Sequence, residues 1–415
     1  MAGNDHLPIA VVDAKLVGRR CVELVQNHLR RLHQLSPHSQ RTLTYDRLLV
    51  TLLVGFHETC DRTLRLMEDL SQSQDAAALL GDHRSARSTM SDALAAFDPK
   101  ALMPLVKDLQ ARLPALGRMD GDLAEILQRM RIADGSIFTV PSDVAHAIAV
   151  SRSNREPGRQ LRFNLQLDFV RGIPADFSIS GDDDGSETAA FARDLAAGMI
   201  YVADRNFMDF KFIRAVIEIK SWFVIRAKIA NSSLKFEPAE ELELTGKDRE
   251  ADVQSDRIGH LPGCRASPGM QQTLMREVLV LDRRSNKVVR LITNLLDVPA
   301  WVIAQLYRRR WEIELFFRWY KCVAKFEHLF SHSKNGIEIQ FYTAVIMILL
   351  SYIQTGQKPG KYEFHCLGWV ARGNMSVETM QVVLARRQRE RAQDKARYKT
   401  RRAAELSALK TKSQA

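Results

Sequence analysis

The hydrophobic rhythm of the chain changes once, near residue 131. From about Val12 to Arg131 apolar residues recur at spacings of three and four, as in Leu48, Leu49, Leu52, Leu53 and Phe56. Residues so spaced share one face of an α-helix, so this stretch predicts helices and almost no strand. Two short pieces within it, Asp61 to Leu70 and Ser85 to Phe97, are separated by polar turn residues, and Arg84, Arg87 and several hydroxyls accompany the second. Such a pair is either a helix-turn-helix reader of DNA ends, with Arg84 and Arg87 as contacts, or a plain bundle whose Arg and Ser face water.

At Arg131 the period shortens to two. Ile132-Ala-Asp134-Gly-Ser-Ile-Phe-Thr-Val140 reads as a strand stopped by Pro141, and Leu161 to Val170 alternates strictly. A turn at Gly172-Ile-Pro174 leads into Ala175 to Ser180, giving three antiparallel strands. Helix Glu187 to Met199, strand Ile200 to Ala203, helix Asp209 to Glu218 and strand Trp222 to Ala227 follow. Three strands, a helix, a strand, a helix and a strand is the order of a ribonuclease-H-like core, an α/β fold. Residues 229–297 interrupt it with an acidic, strand-poor start (Glu237, Glu240, Glu241, Glu243), a Gly/Pro loop and two strands, Glu277 to Leu281 and Lys287 to Thr293. The expected domains are a helical DNA-binding region over 1–130, the core over 131–228, a strand-containing insertion domain over 229–297, the core's last helices over 298–356 and a basic helical tail over 357–415.

The charge balance adds a partner class. The chain of 415 residues carries 60 Lys and Arg against 49 Asp and Glu, a formal +11, which implies acidic partners, nucleic acid first among them. From Gln381 to Ala415 there are eleven basic and three acidic residues, so most of the excess sits in the tail, which is either a DNA- or dimer-contacting arm or a solvated charged helix. Five scattered cysteines show neither zinc spacing nor a disulfide framework, which indicates a reducing, cytoplasmic setting. The longest apolar run, Phe341 to Ile353, is short of the roughly 20 residues of a membrane span and reads as a buried core helix. No membrane association and no nucleotide cofactor are expected, since the nucleotide-binding Gly-rich loop is missing. His328 and His332 share a helical face without a third metal ligand.

The most informative constellation lies in Tyr307-Arg-Arg-Arg310-Trp-Glu-Ile-Glu314-Leu-Phe-Phe-Arg-Trp-Tyr-Lys321. On one continuous helix, steps of 3, 4 and 7 place Tyr307, Arg310, Glu314 and Lys321 within an arc of about 60°. A carboxylate among two cations and a phenol suits a site that holds a metal ion and grips phosphate oxygens. Against this stands an ordinary amphipathic helix with an Arg310 to Glu314 ion pair. Two strand-borne acids extend the pattern. Asp134 lies inside an apolar strand beside Gly135, which lets another group approach closely, and Asp204 ends a strand where open α/β sheets place ligands. Arg205 follows Asp204 and either touches substrate or makes the turn. The basic stretch Arg152 to Gly158 is either a DNA contact or a solvated loop.

The Asp134-Gly135-Ser136 strand, the Tyr201-Val-Ala-Asp204-Arg-Asn-Phe207 strand end and the spacing Tyr307-x2-Arg310-x3-Glu314-x6-Lys321 together resemble the three motifs of DDE-type transposases of bacterial insertion sequences, over about residues 85–353. The resemblance implies Asp134, Asp204 and Glu314 as catalytic residues and as ligands of two Mg²⁺ ions, for which Mn²⁺ can substitute. It implies Tyr307, Arg310 and Lys321 as phosphate clamps. It further implies cleavage of transposon-end DNA, joining of the 3′-hydroxyls to target DNA, and a homodimer on paired DNA ends. A repressor that occupies the ends without cutting, and a host nuclease on the same core, are the alternatives. Relatives of this family carry an aromatic in the insertion that stacks on a flipped base, whereas Phe236 is the only aromatic of 229–297 here.

Overall fold

The computed structural model describes residues 17–35, 43–57, 63–72, 85–113, 123–150, 158–182, 185–228, 235–261, 270–324, 329–355, 361–371 and 375–412. Arg84, the stretch 151–157 and His328 lie outside them. The chain opens with helices α1 (Val17–Gln34), α2 (Tyr45–His57) and α3 (Leu64–Ser71), which bury Leu32, Leu48, Leu49, Leu52, Phe56 and Met67. These belong to one compact unit. A second compact unit runs from Ser88 to Leu349 and holds everything that concerns the acids. It begins with α4 (Arg87–Ala96), whose first residue alone belongs to the helical unit, α5 (Met103–Ala111) and α6 (Ala124–Gln128).

The second unit is built on one mixed sheet. Strands β1 (Met130–Val140), β2 (Ile148–Val150), β3 (Gly158–Asp168), β4 (Ile173–Ser180), β5 (Ile200–Ala203) and β6 (Trp222–Ala227) are followed by β7 (Glu237–Glu241), β8 (Val253–His260), β9 (Met275–Asp282) and β10 (Lys287–Thr293). The order is β2-β3-β1-β5-β6-β10-β9-β8-β7, with β4 also paired to β3. β1, β5 and β6 run parallel, and the pairs β1 with β3 and β3 with β4 are antiparallel, in the expected order. The short β2 is an addition to the expected set. The other departure is larger. Residues 229–297, expected as a separate insertion domain with two strands, show four among the described residues and continue the same sheet through an antiparallel pairing of β10 with β6. Their acidic start is itself a strand, β7, exposed at all five positions and held by its pairing with β8. With no apolar alternation it carries no strand signal, and its charges suit an unpaired edge.

Helices cover both faces. α7 (Glu187–Arg193, shorter than the expected Glu187 to Met199) and α8 (Phe210–Glu218) pack Phe191, Phe212, Ile213 and Val216 onto Ala133, Tyr201, Ala203, Phe223 and Ile225. Phe236 is buried in this same cluster, 8% exposed, and is not presented for stacking. After the short α9 (Gly246–Glu250), the expected single helix is two: α10 (Ala300–Arg308) and α11 (Trp311–Ala324), separated by a tight turn at Arg309-Arg310. In that turn Arg310 N donates to Tyr307 O and Ile313 N to Arg310 O, three residues back rather than four. α12 (Lys334–Thr355) follows; it is long and apolar enough to cross a membrane by length and composition, and 89% of its most apolar window is buried within the protein. An aromatic cluster locks α11 and α12 to the sheet: Phe163 stacks on Tyr320 at 4.7 Å, and Phe138 meets Phe341 edge-on at 5.3 Å.

α13 (Lys361–Ala371) and α14 (Val377–Lys412) complete the first compact unit, where α13 packs against α1 and α2. The amino-terminal helices and the carboxyl end, expected as separate regions, thus fold together. Cys366, Leu367, Val370, Met380 and Leu384 form the core shared by α13 and α14, and Arg391 Nη1 pairs with buried Glu363 at 2.9 Å.

The added strands also fix α10. Asp248 Oδ1 accepts from Trp301 N at 2.8 Å, and buried Arg276 binds Asp256 through two nitrogens while donating to the carbonyls of Leu296 and Val298 just ahead of the helix. Arg276→Leu leaves Asp256 buried without a partner, so it is expected to cost about 3 to 5 kcal/mol in chemical denaturation. A change within about 0.5 kcal/mol, typical of a surface site, would show that this network does not support the sheet.

Candidate active site

Register brings the first two acids together. The parallel pairing of β1 with β5 ends at Ala133 and Ala203, so Asp134 and Asp204 are the next residue on each strand, at the point where the strands part. Adjacent parallel strands lie about 4.8 Å apart, and equal register puts both side chains on the same face. Because side chains alternate, Asp134 shares the face of Ile132 and Phe138, toward α11, while Ala133 and Ala203 face α7 and α8. Asp204 is half-buried and caps the turn Arg205–Phe207, its Oδ1 accepting from Asn206 N at 2.8 Å. Its neighbour Arg205 is exposed.

α11 supplies the third acid through an arginine. Arg310 Nη1 lies 3.3 Å from Asp134 Oδ2 and Nη2 lies 2.5 Å from Glu314 Oε1, so one guanidinium spans both carboxylates. Arg310 and Asp134 are each 18% exposed, which keeps this charge-assisted bridge out of bulk water. Tyr307, at the end of α10, hydrogen-bonds both Arg310 and Arg226; burial pushes its phenol up, and the two guanidinium groups oppose that. The break between α10 and α11 therefore does not scatter the face: Tyr307 and Glu314 both remain in contact with Arg310. Lys321 stands further along β1. Its Nζ donates to Ile137 O at 3.3 Å and sits 5.0 Å above the Phe138 ring, and partial burial lowers its pKa. Arg87, also expected near DNA, is exposed at the start of α4 and belongs to the helical unit.

A fourth acid joins the three that the sequence points to. Glu187 opens α7, capped by Ser186, and its carboxylate accepts a hydrogen bond from Gly135 N beside Asp134. A methyl group on Gly135 would fall onto Glu187 Oε1. The glycine thus makes room for a carboxylate arriving from the α7 side of the sheet, where the sequence suggests only close approach of another group. Ser186 at a helix start reads as a cap and draws attention away from Glu187.

The electrostatics follow from crowding. Burial pushes Asp134 up to about 7 from 3.8; Arg310 and the Gly135 amide oppose this, while Asp204 and Glu187 add to it. Glu187 is raised too, by burial and by Asp204, against Arg162 and the Gly135 amide. Hard oxygen donors gathered where negative charge is poorly compensated have the chemistry that Mg²⁺ requires. As the side chains are placed, no three His, Cys, Asp or Glu among the described residues converge at ligand distance.

Between pH 3.8 and about 7 the folded protein holds a proton on Asp134 that the unfolded chain has released, so this residue's contribution to stability falls as pH rises through that window. Asp134→Asn removes the dependence. In metal-free thermal denaturation its stability relative to wild type is expected to increase from about pH 5 to about pH 8, by about 1.4 kcal/mol for every tenfold by which folding weakens the acid. A difference that stays flat with pH would contradict the assignment.

A family model described as "Transposase DDE domain" matches residues 127–350, more than half of the chain and the whole of the stretch that carries the four acids. Similarity to known proteins agrees. The chain is 25% identical over 249 residues to a protein of Geobacillus stearothermophilus named as a transposase of insertion sequence element IS5377, covering 51% of this chain and 63% of that one. It is 29% identical over 157 residues to y4zB of Sinorhizobium fredii, also named as a transposase, covering 38% and 42%. The chain thus spans less than two thirds of these relatives' length. A solved piggyBac transposase synaptic complex with hairpin DNA aligns with 91% of this chain and 82% of its own at a TM-score of 0.41 and 9% identity, a likeness too distant to define the fold. The extent of the family match and the acids it encloses place this chain in the DDE transposase domain family.

Proposed function

We propose that the chain is a DNA transposase, which binds the ends of a transposable element, cleaves DNA hydrolytically and joins the resulting 3′-hydroxyls to target DNA. The observation that carries this reading is the juxtaposition of Asp134 and Asp204 by strand register, with Glu314 tied to Asp134 through Arg310. The strand order β4-β3-β1-β5-β6, three antiparallel strands and then two parallel ones, supports a ribonuclease-H-like core. Neither a repressor nor a host nuclease is favoured by the transposase relatives.

Asp134, Asp204 and Glu314 are the residues that would hold Mg²⁺, with Glu187 beside them. Two such ions, when bound, activate the attacking oxygen and stabilise the leaving one. The chain's own groups position the strand. Arg310 offers a planar fork that matches phosphate as well as it matches the two carboxylates it bridges here, and Tyr307 holds it from the other side. Lys321, stationed above Phe138, presents a point charge further along the strand. In the first step water attacks phosphorus and the P–O3′ bond breaks, the 3′ oxygen leaving with a proton. In the second, that 3′-hydroxyl attacks a target phosphodiester and loses its proton, while the target's own P–O3′ bond breaks and its 3′ oxygen leaves with a proton. Two chains assembled on paired ends would complete both cuts.

Asp134→Ala, Asp204→Ala and Glu314→Ala are each expected to abolish Mg²⁺-dependent cleavage of DNA carrying the element's ends, by about 10³-fold or more, with DNA binding nearly intact. Cleavage at the wild-type rate by any one of them removes that residue from the site, and DNA binding without cleavage by wild type favours the repressor. Gly135→Ala displaces a flexible side-chain tip rather than backbone, so the fold should persist while Glu187 is turned aside. It should therefore lower cleavage to the level of Glu187→Ala, and the double variant should be no worse than either. Fully additive losses would show that Gly135 acts by another route.

A further inference from the structure

Beside the acids a concave surface of about 780 Å³ opens on the sheet, lined by Arg205, Arg226, Lys228 and Lys287 around Ala227, Leu279 and Val288. All four cations are exposed, and none makes an ion pair among the described residues. That sets them apart from their neighbourhood. On the same strands and the adjoining helix Arg257 and Arg290 pair with Glu277, Arg276 with Asp256, and Arg283 and Arg308 with Asp252. The protein pairs these basic residues whether they are buried, as Arg276 and Arg290 are, or exposed, as Arg283 and Arg308 are, and among the described residues it leaves four unpaired around one hollow whose lining contains no acid.

The hollow is also joined to the site. Arg205 is the residue after Asp204, and Arg226 hydrogen-bonds Tyr307, which in turn holds Arg310. The remaining two cations come from the end of β6 and the start of β10, brought side by side by the antiparallel pairing that fuses residues 229–297 to the core. Apolar floor and basic rim match a sugar-phosphate backbone, whose deoxyribose is apolar on its exposed edge and whose phosphates carry one charge per nucleotide.

We propose that this groove seats the phosphodiester backbone of duplex DNA flanking the cut, with Lys228 and Lys287 as phosphate contacts contributed by the two strands that meet there. The proposal rests on the reading of the chain as a DNA-cleaving and DNA-joining enzyme. It assigns the added strands a direct part in substrate binding.

The test is the salt dependence of binding to a fluorescent duplex carrying the element's terminal sequence, for wild type, Lys228→Ala/Lys287→Ala, and Lys100→Ala/Lys211→Ala. The last removes two exposed cations outside the groove and controls for net charge. Thermal melts confirm that all three are folded, and wild-type cleavage and joining in Mg²⁺ are assayed in parallel. Removing one cation that neutralises a phosphate lowers the slope of log K against log salt by about 0.9, so the groove variant is expected to lose about 2 from its slope and the control almost nothing. Equal slopes for groove variant and wild type, or equal losses for groove variant and control, overturn the groove. If that happens while wild type still joins DNA, the enzymatic reading stands without the groove; if wild type neither binds nor cleaves the duplex, both fall.

Discussion

Like charges held close together govern this structure. Asp134, Asp204 and Glu187 crowd the end of two parallel strands, with Glu314 joined to Asp134 through Arg310, and burial raises the pKa of Asp134 and of Glu187. Such an arrangement persists only because the scaffold over-determines it. The β1 to β5 register sets two of the acids, a glycine admits the third, and an arginine bridge holds the fourth. Arg310 compensates charge on both sides at once, and burial does not lower its own pKa, because Tyr307, Glu314 and Asp134 outweigh that effect.

The cost of keeping acids in this position is met by rigidity elsewhere. Phe138, Phe163, Tyr320 and Phe341 clamp α11 and α12 against β1 and β3, so the helix bearing Glu314 has little freedom to drift from the strand bearing Asp134. On the other side, Thr188 Oγ1 donates to Asp209 Oδ2, the residue that caps α8, tying the start of the helix with Glu187 to the start of the next. Residues 229–297 add a third support: Asp248 on α9 holds the first turn of α10 and Arg276 the chain just ahead of it, so the segment inserted between β6 and that helix orients the tyrosine and arginine that follow. Each device is local, and together they leave the carboxylates nowhere to relax.

Much of this was legible in the sequence, for reasons that separate local signals from remote ones. Asp134 stood out because a carboxylate inside an apolar strand is unusual, and Asp204 because it ended one. The Tyr307, Arg310 and Glu314 spacing was legible although its premise of one continuous helix was not met; a single tight turn changes the phase by too little to part neighbours three and four residues apart. The break gave no warning, since Arg309-Arg310 contains neither glycine nor proline. Glu187 was hidden because its meaning depends on a glycine 52 positions earlier in the chain. β7 was hidden because Glu-Pro-Ala-Glu-Glu lacks any apolar face and is a strand only by virtue of its partner. The union of the chain's two ends in one helical unit was likewise beyond reach, because helical periodicity says which face is buried but not against what.

The register of β1 against β5 also bears on how such a chain can change over time. A one-residue insertion or deletion within either strand would turn its acid to the opposite face, toward the apolar packing of α7 and α8, while leaving the sheet's hydrogen bonds available. The connections between strands have no such constraint, and residues 229–297 show how much chain can be accommodated there by lengthening the sheet sideways. Copies of this gene can therefore diverge widely in length between the acids, whereas a few positions on either side of each acid admit no change in spacing. An element that had lost that spacing would carry a carboxylate turned into apolar packing, so its silence would be accompanied by a loss of stability.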